Sequence, residues 1–262
     1  MNIYPVCKWV GGKRKLLSLL KEHMPKEYGS YHEPFLGGGA LLFSIQPANA
    51  FVSDINDDLI SMYNEIKNNA QNVVSLLSTY PNEEKFYYEI RECEPITSLE
   101  RAARFLYLSR AGFNGLYRVN SKGKFNVSYG KYKSLNFDTN NLLAVGEYLR
   151  NNNISIISQD YRKALSQTKE NDFVYMDPPY HGTFTGYTKD QFNNSRLKEL
   201  SEAVKEHSNR GVKILLSNSN HPEVREAFSQ YQIIPVNIAW TVGKTGNSRK
   251  RDENEVLIKT WL

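Results

Sequence analysis

Val174-Tyr175-Met176-Asp177-Pro178-Pro179-Tyr180 is a strand that is stopped the moment it ends. Val174, Tyr175 and Met176 are β-branched, aromatic or apolar, as the end of a buried strand requires. Two prolines follow that fix φ and cannot donate to a ladder. Left at the strand's carboxyl end are one carboxylate (Asp177), unpaired carbonyls and an aromatic plate (Tyr180). In open α/β sheets ligands bind at that end. An acceptor pair beside a stacking ring suits a planar base with an exocyclic NH2 group. The same letters also suit a Pro-Pro turn after an edge strand, so the surroundings must decide.

Working outward, other short apolar segments meet similar stops. Tyr31–Pro34 runs into Phe35-Leu36-Gly37-Gly38-Gly39, and Ala50-Phe51-Val52 runs into Ser53-Asp54. Further strands are expected at Ile154–Ser158, Val212–Leu216, Ile233–Ile238 and Glu255–Lys259. Helical periodicity marks Lys15–His23, Asp57–Asn68, Ser98–Ser109, Ser195–His207 and Pro222–Ser229. Strands alternating with helices at both ends of the chain predict an α/β fold with a Rossmann-like, doubly wound, parallel-rich sheet. The middle reads differently: mostly helical, with Asn- and Lys-rich connectors and a hairpin near 118–131 turning at Ser121-Lys122-Gly123. The expected organisation is a catalytic domain of residues 1–58 and 146–262, with an inserted, mainly helical lobe at 59–145.

Composition narrows the setting. The 262 residues, 40% hydrophobic and 12% aromatic, suit one sizeable domain or a domain with a large insertion. No apolar run reaches membrane-spanning length, and Met1–Cys7 is too short and mixed for a signal peptide. Cys7 and Cys93 have no metal or partner spacing and read as reduced thiols, which points to the cytoplasm. Five scattered histidines offer no ligand spacing, so no metal site is expected. Net charge is +5, unevenly spread. Residues 8–15, 101–135 and 244–251 hold 16 of the 33 cations and no acid, leaving 17 cations against 28 acids elsewhere. Such segments are either solvated faces or contacts to a polyanion. In 101–135 the cations alternate with Phe113, Tyr117, Phe125, Tyr129 and Tyr132, which favours nucleic acid.

Gly37-Gly38-Gly39 between a strand and the helix-like Ala40–Ser44 gives a ligand access to backbone. Asp54 closes the next strand, where an acid commonly holds ribose hydroxyls. Together they suggest a cofactor that contains a nucleoside. Lys8-Trp9-Val10-Gly11-Gly12-Lys13 superficially matches a phosphate loop, but Cys7 stands where glycine is required and Arg14 where Ser or Thr would bind magnesium.

These pieces resemble the DNA adenine N6-methyltransferases of the Dam type, the D12 class, in the motif order of their α group. The resemblance rests on Lys8-Trp9-x-Gly11-Gly12-Lys13, Phe35-Leu36-Gly37-Gly38-Gly39 and Asp177-Pro178-Pro179-Tyr180, and covers essentially the whole chain. Arg101-Ala102-Ala103-Arg104 and Phe113–Lys122 are especially similar to Dam-like enzymes that modify GATC, the restriction-associated DpnM type among them. The resemblance implies S-adenosylmethionine as methyl donor. It implies that Trp9 and Lys13 line the cofactor site, that Asp54 holds the ribose and that Phe35 and Gly37–Gly39 lie near the methionine part. Asp160, after the strand at 154–158, would meet the cofactor's adenine amine, and Asp177 would border both pockets. It further implies a bacterial or phage setting, double-stranded DNA as substrate and a restriction endonuclease as a possible functional partner.

The chemistry of the motif agrees. Adenine N6 is a poor nucleophile because its lone pair is delocalised. Asp177 and the Pro178 carbonyl can each accept one N6 hydrogen and aim that lone pair, Pro179 completes the stop, and Tyr180 can stack on a base turned out of the duplex. Arg118 suits the O6 and N7 of a guanine. By family resemblance Phe113 wedges into the stack, with Asn114, Leu116 and Lys8 near base edges or the vacated position. Lys122 and Lys124 read as phosphate contacts. Phe125-Asn126-Val127-Ser128 places Asn126 and Ser128 at the DNA, and Ser128 stands where the family usually has a proline against a pyrimidine edge. A cytosine-C5 enzyme would need a nucleophilic cysteine after proline; Cys7 follows Val6 and Cys93 follows Glu92. A protein-glutamine or RNA methyltransferase commonly begins this motif with Asn and needs no basic aromatic hairpin, and a non-catalytic DNA-binding module need keep neither Asp177–Tyr180 nor the glycine motif. Whether the chain works alone, beside a nuclease or for a phage is not written in the residues.

Overall fold

The computed structural model describes residues 2–120, 123–181, 193–236 and 255–262. In chain order the strands are β1 (Tyr31–Glu33), β2 (Asn49–Asp54), β3 (Asn153–Ser158), β4 (Phe173–Met176), β5 (Lys213–Ser219), β6 (Gln232–Val236) and β7 (Glu255–Lys259). The α-helices are α1 (Leu17–Glu22), α2 (Ala40–Ile45), α3 (Asp57–Ser78), α4 (Glu84–Glu92), α5 (Ser98–Ala111), α6 (Thr139–Asn151), α7 (Tyr161–Leu165), α8 (Asn194–Asn209) and α9 (Pro222–Ala227). The α/β class expected from the sequence is what is found. Residues 237 and 238 of the strand expected at Ile233–Ile238 lie outside the described residues. No helix among the described residues is long and apolar enough to cross a membrane.

The chain forms two compact units, one of residues 1–14 and 36–161, the other of 15–35 and 162–262. In the second unit the strands run β1-β4-β5-β7-β6. β4 pairs in parallel with both β1 and β5, whereas β7 is antiparallel to β5 and β6. All four residues of β4 are buried, as a strand covered on both faces requires, and this explains its unbroken apolar run. Its neighbours supply a buried pair that ties two loops to the sheet. Asp172 accepts from the Ser30 and Lys169 amides at 2.7 and 2.9 Å, and its other contact is His32 Nε2 at 3.0 Å.

In the first unit β2 and β3 are parallel and in register from Asn49↔Asn153 to Asp54↔Ser158. Three helices, α3, α5 and α6, form most of the rest. α3 starts where Asn56 accepts from the Leu59 amide at 2.9 Å, with Asp57 and Asp58 in its first turn, where the helix dipole favours acids. It runs past the expected end at Asn68 to Ser78, through a break at Asn69 (φ −140°, ψ 38°). Close to that break lies Gly146 of α6. A Cβ there would come within 2.7 Å of both the Ala70 Cβ and the Ile66 carbonyl, so only glycine lets the helices approach so closely. α5 begins with a capping box, Thr97 and Glu100 each satisfying a backbone amide of the other, an arrangement whose loss costs about 1 kcal/mol.

The two cysteines are free, Cys7 buried and Cys93 exposed. Burial pushes the Cys7 thiol up to about 12.

Two buried histidines of the second unit, His32 and His207, set a pH signature. Burial holds the His32 imidazole below its ordinary 6.5, outweighing the opposing pull of Asp172. His207 is lowered too, by burial and then by Arg210. Below about pH 6.5 the unfolded chain therefore binds more protons than the folded one. Their contribution is complete above that pH and is lost as pH falls through the depressed folded values. We expect the urea midpoint to drop between about pH 7 and pH 5, and His32→Asn to make the drop shallower. An unchanged slope in that variant would remove His32 from the account.

Candidate active site

The glycine turn of the first unit is held from two sides. Its backbone is closed by Leu36 N to Ser53 O at 2.9 Å and Gly39 N to Leu36 O at 2.7 Å. Asp54, the last residue of β2, accepts from Gly37 N at 2.9 Å on one carboxylate oxygen and from Asn56 N at 3.0 Å on the other. Burial raises the Asp54 carboxyl above its ordinary value, against those amide donors. The structure thus brings together Asp54 and the turn, as the motif spacing suggested. Asp160 lies two residues beyond the end of β3, and Gln159 N donates to Asp54 O at 3.1 Å, so Asp160 follows at the same end of this strand pair.

The glycines themselves have a use that the sequence did not reveal. Gly37 has φ +48°, and a Cβ on it would lie 2.7 Å from the Trp9 ring. The indole lies against the turn and also stacks with Tyr117 and Phe105 at centroid distances of 5.6 and 6.4 Å. Lys13 is buried, 5% exposed, with its ammonium donating to Gly11 O at 3.0 Å. Phe35, half-buried, immediately precedes the turn.

In the second unit the motif occupies the end of β4. Pro178 is buried and Pro179 exposed, with Asp177 and Tyr180 partly accessible. The Tyr180 hydroxyl donates to Glu255, the first residue of β7. Behind them the Tyr175 hydroxyl meets Ser217 Oγ at 3.0 Å. Both phenols are raised well above 10, by burial first and then by Asp177. The residue after the motif is fixed at both backbone groups: His181 N donates to Asn218 Oδ1 at 3.1 Å and its carbonyl accepts from Ser219 Oγ at 2.8 Å. Glu255 was missed at the sequence level. Its signal was an acid opening the otherwise apolar strand Glu255-Val256-Leu257-Ile258. Folding also gathers His181, His221 and Glu223, whose nearest ligand atoms lie within 4.8 Å of one another, a grouping that residue spacing cannot reveal; His221 and Glu223 pair with each other.

The expected recognition residues fall on a tight loop and a narrow hairpin of the first unit. Phe113 opens a 3-10 turn, Phe113–Gly115, and is 55% exposed. Its amide donates to Ser128 O at 2.8 Å, which ties the turn to the far limb of the hairpin. Asn114 sits at φ +57° and is exposed, Leu116 is half-buried, and the Lys8 stem lies against Gly115. The hairpin is pinned by the Val119↔Phe125 bridge and by Asn120 N to Lys124 O at 2.8 Å. Arg118, exposed, donates from Nε to Asn126 Oδ1 at 2.8 Å. Lys124 and Ser128 are exposed. Lys122 and the basic segment 244–251 lie outside the described residues.

Two parts of the charge and aromatic reading need correction. Tyr117 and Phe125 are 7% exposed and pack in the core rather than presenting stacking faces. Arg101 is engaged internally with Asp57 and Asp58 at 2.7 Å each, and Arg104 with the Ile90 and Arg91 carbonyls. An acid-free stretch of sequence still finds its acids when helices pack. In contrast Arg110, Arg118, Lys124, Lys131 and Lys133 are exposed.

Comparison with known proteins matches residues 9–241 to the family model for D12 class N6 adenine-specific DNA methyltransferase. The chain is similar to the type II methyltransferase M1.LlaDCHI of Lactococcus lactis subsp. cremoris, 38% identical over 275 residues covering 100% of this chain and 96% of that one. It is 34% identical over 294 residues to the type II methyltransferase M.MjaIII of Methanocaldococcus jannaschii, with 100% of both chains covered. It is 32% identical over 264 residues to the DNA adenine methylase of Escherichia coli (strain K12), covering 96% of this chain and 94% of that one. Among solved structures, the rRNA methyltransferase aviRa of Streptomyces viridochromogenes aligns at TM-score 0.39 and 13% identity over 97% of this chain and 89% of that one, too distant to support an argument.

The Trp9 contact makes the turn testable. Gly37→Ala forces a Cβ into the indole at a left-handed φ and should cost about 1–3 kcal/mol by denaturant titration. Adding Trp9→Ala should give a double variant less destabilised than the sum of the singles. Additive losses would show that the indole contact is not what requires glycine there.

Proposed function

Because this chain belongs to the D12 class N6 adenine-specific DNA methyltransferases, and so is an adenine-specific DNA methyltransferase, we propose that it acts within GATC or a close relative, on an adenine turned out of the duplex. The observation that carries this reading is the end of β4, where Asp177 and a buried Pro178 precede a ring whose hydroxyl is anchored. Adenine buried in the base stack cannot meet an acceptor set at a strand end, so the base must come to the site.

S-adenosylmethionine supplies the methyl group as an activated sulfonium. The residues at the glycine turn suit it: a carboxylate has about four lone-pair sites, and Asp54 accepts from the Gly37, Ile55 and Asn56 amides, which leaves room for a ribose hydroxyl. Asp160 is assigned to the adenine amine, and Trp9, Lys13, Phe35 and Gly37–Gly39 to the walls. For the acceptor, Asp177 and the Pro178 carbonyl each take one N6 hydrogen. That draws the nitrogen toward tetrahedral geometry and aims its lone pair. With that donor bound, these groups would hold N6 in line with the methyl–sulfur bond, so that an N–C bond replaces the S–C bond and the pair stays on sulfur. The N6 proton, acidic only once transfer is under way, would leave by way of its Asp177 hydrogen bond to solvent, so no strong base is needed. Positioning and electrostatics supply the rate.

We assign sequence reading to residues 59–145. Exposed Phe113 is offered as the wedge into the vacated stack, with Lys8, Asn114 and Leu116 beside it. Arg118, held by Asn126 at Nε and at one terminal nitrogen, is offered to a guanine, because that grip fixes the guanidinium plane and leaves its remaining N–H donors to point outward. Lys122 and Lys124 go to phosphates, and Ser128 to the pyrimidine edge. A pairing with a restriction endonuclease is supported by the two relatives named type II methyltransferases.

Mapping modified adenines in DNA from cells that express the protein tests the reading. N6-methyladenine should concentrate in GATC, and that DNA should resist a nuclease for the same site; modification scattered over unrelated sequences would end the GATC assignment. Asp177→Ala should lower kcat by about a hundredfold or more while DNA affinity changes little. Arg118→Ala should lose about 1–3 kcal/mol of discrimination at one guanine. Equal weakening on every sequence would make Arg118 a phosphate contact instead.

A further inference from the structure

We infer that Glu255 is a positioning residue of the methyl-transfer site, acting through the Tyr180 hydroxyl to fix the plane of the ring on which the target base lies. The inference rests on the reading that Tyr180 stacks on that base.

Glu255 is 4% exposed. It opens β7, the strand between β5 and β6, in register with Ser219 on one side and Val236 on the other. A carboxylate so buried costs several kcal/mol unless hydrogen bonds satisfy it. It accepts from the Tyr180 hydroxyl. Burial, Asp177 and Glu255 together hold that phenol well above 10, so it stays a donor at every working pH and the bond does not switch.

The geometry has a further consequence for the ring. Tyrosine has two side-chain torsions, and Tyr180 follows two prolines whose φ is fixed. The backbone therefore sets where the ring starts, and the hydroxyl anchor sets where its far end lies. A residue at that position held only by packing would keep its site but could tilt. Tilt matters because the N6 lone pair must point along the transfer line, and an error near 1 Å in such alignments costs up to about a hundredfold in rate.

The experiment compares Glu255→Leu, Glu255→Gln, Tyr180→Phe and Tyr180→Ala in the same chain. Methyl transfer is measured on duplex DNA with adenine at the target, and base placement on the same duplex carrying 2-aminopurine there, which has no N6 amine and reports fluorescence only. Glu255→Leu removes the acceptor at similar volume. We expect kcat to fall about ten- to a hundredfold with KM for DNA within about twofold, and the 2-aminopurine signal of the bound complex to change. Glu255→Gln keeps an acceptor oxygen and should recover most of that loss. Tyr180→Phe should lose a similar factor, and Tyr180→Phe/Glu255→Leu should be no worse than either alone. Equal losses in the Gln and Leu variants would overturn the inference, because charge and not anchoring would then be at work. So would fully additive losses in the double variant, or a Glu255→Leu enzyme with unchanged kcat. Tyr180→Ala separates the two readings. If it leaves the 2-aminopurine signal unaltered, the stacking reading fails; if it alters the signal while Glu255→Leu does not, only the role of Glu255 fails.

Discussion

The indole of Trp9 lies where a side chain on Gly37 would have to be, and most of the first unit is arranged around that exclusion. Because the turn carries no Cβ there, the ring can rest on backbone while it also stacks with Tyr117 and Phe105. Tyr117 then passes the constraint on: its hydroxyl reaches Asp58 at 2.8 Å, and the same carboxylate holds Arg101 of α5. One contact thus connects the N-terminal segment, the glycine turn, the start of α3 and the helix that leads into the Phe113–Gly115 turn. These are exposed or half-exposed ion pairs worth little singly, up to about 1 kcal/mol. Their value lies in fixing where the helices begin.

The second unit works by a different rule. A strand with every side chain buried is brought to a stop by two prolines, and the polar groups that follow are satisfied by residues from neighbouring strands. Ser217 of β5 answers Tyr175, Asn218 and Ser219 hold His181, and Glu255 of β7 holds Tyr180. The carboxyl end of β4 is thereby rigid on the side of the sheet, which is what a strand end must be if it is to orient a substrate atom within tenths of an ångström.

The strands were largely visible in the residues, because they are short and apolar, and β1, β2 and β4 run into glycine, acid or proline stops. β4 and β7 fall where they were expected, as does the start of α3, whose Asn-Asp-Asp opening is a cap in chemical terms. The length of α3 was not visible. Asn68-Asn69 looks like an end, yet packing against Gly146 carries the helix on through a break. Charge patterning was the least reliable guide. Arg101 and Arg104 sit in a stretch without acids, but acids and carbonyls reach them from other helices, and sequence shows neighbours along the chain only. The same limit hid Glu255, whose partner is 75 residues away, and the burial of Tyr117 and Phe125, whose rings look like DNA contacts until the core around them is known.

The two cysteines lead somewhere else. Cys7 is buried with its thiol raised to about 12, while Cys93, just past the end of α4, is exposed. A maleimide needs a thiol it can reach, and of the two only Cys93 is exposed. The unmodified sequence therefore comes with a single addressable handle at the end of a helix in the first unit, so a dye or spin label can be placed there without first removing any other thiol.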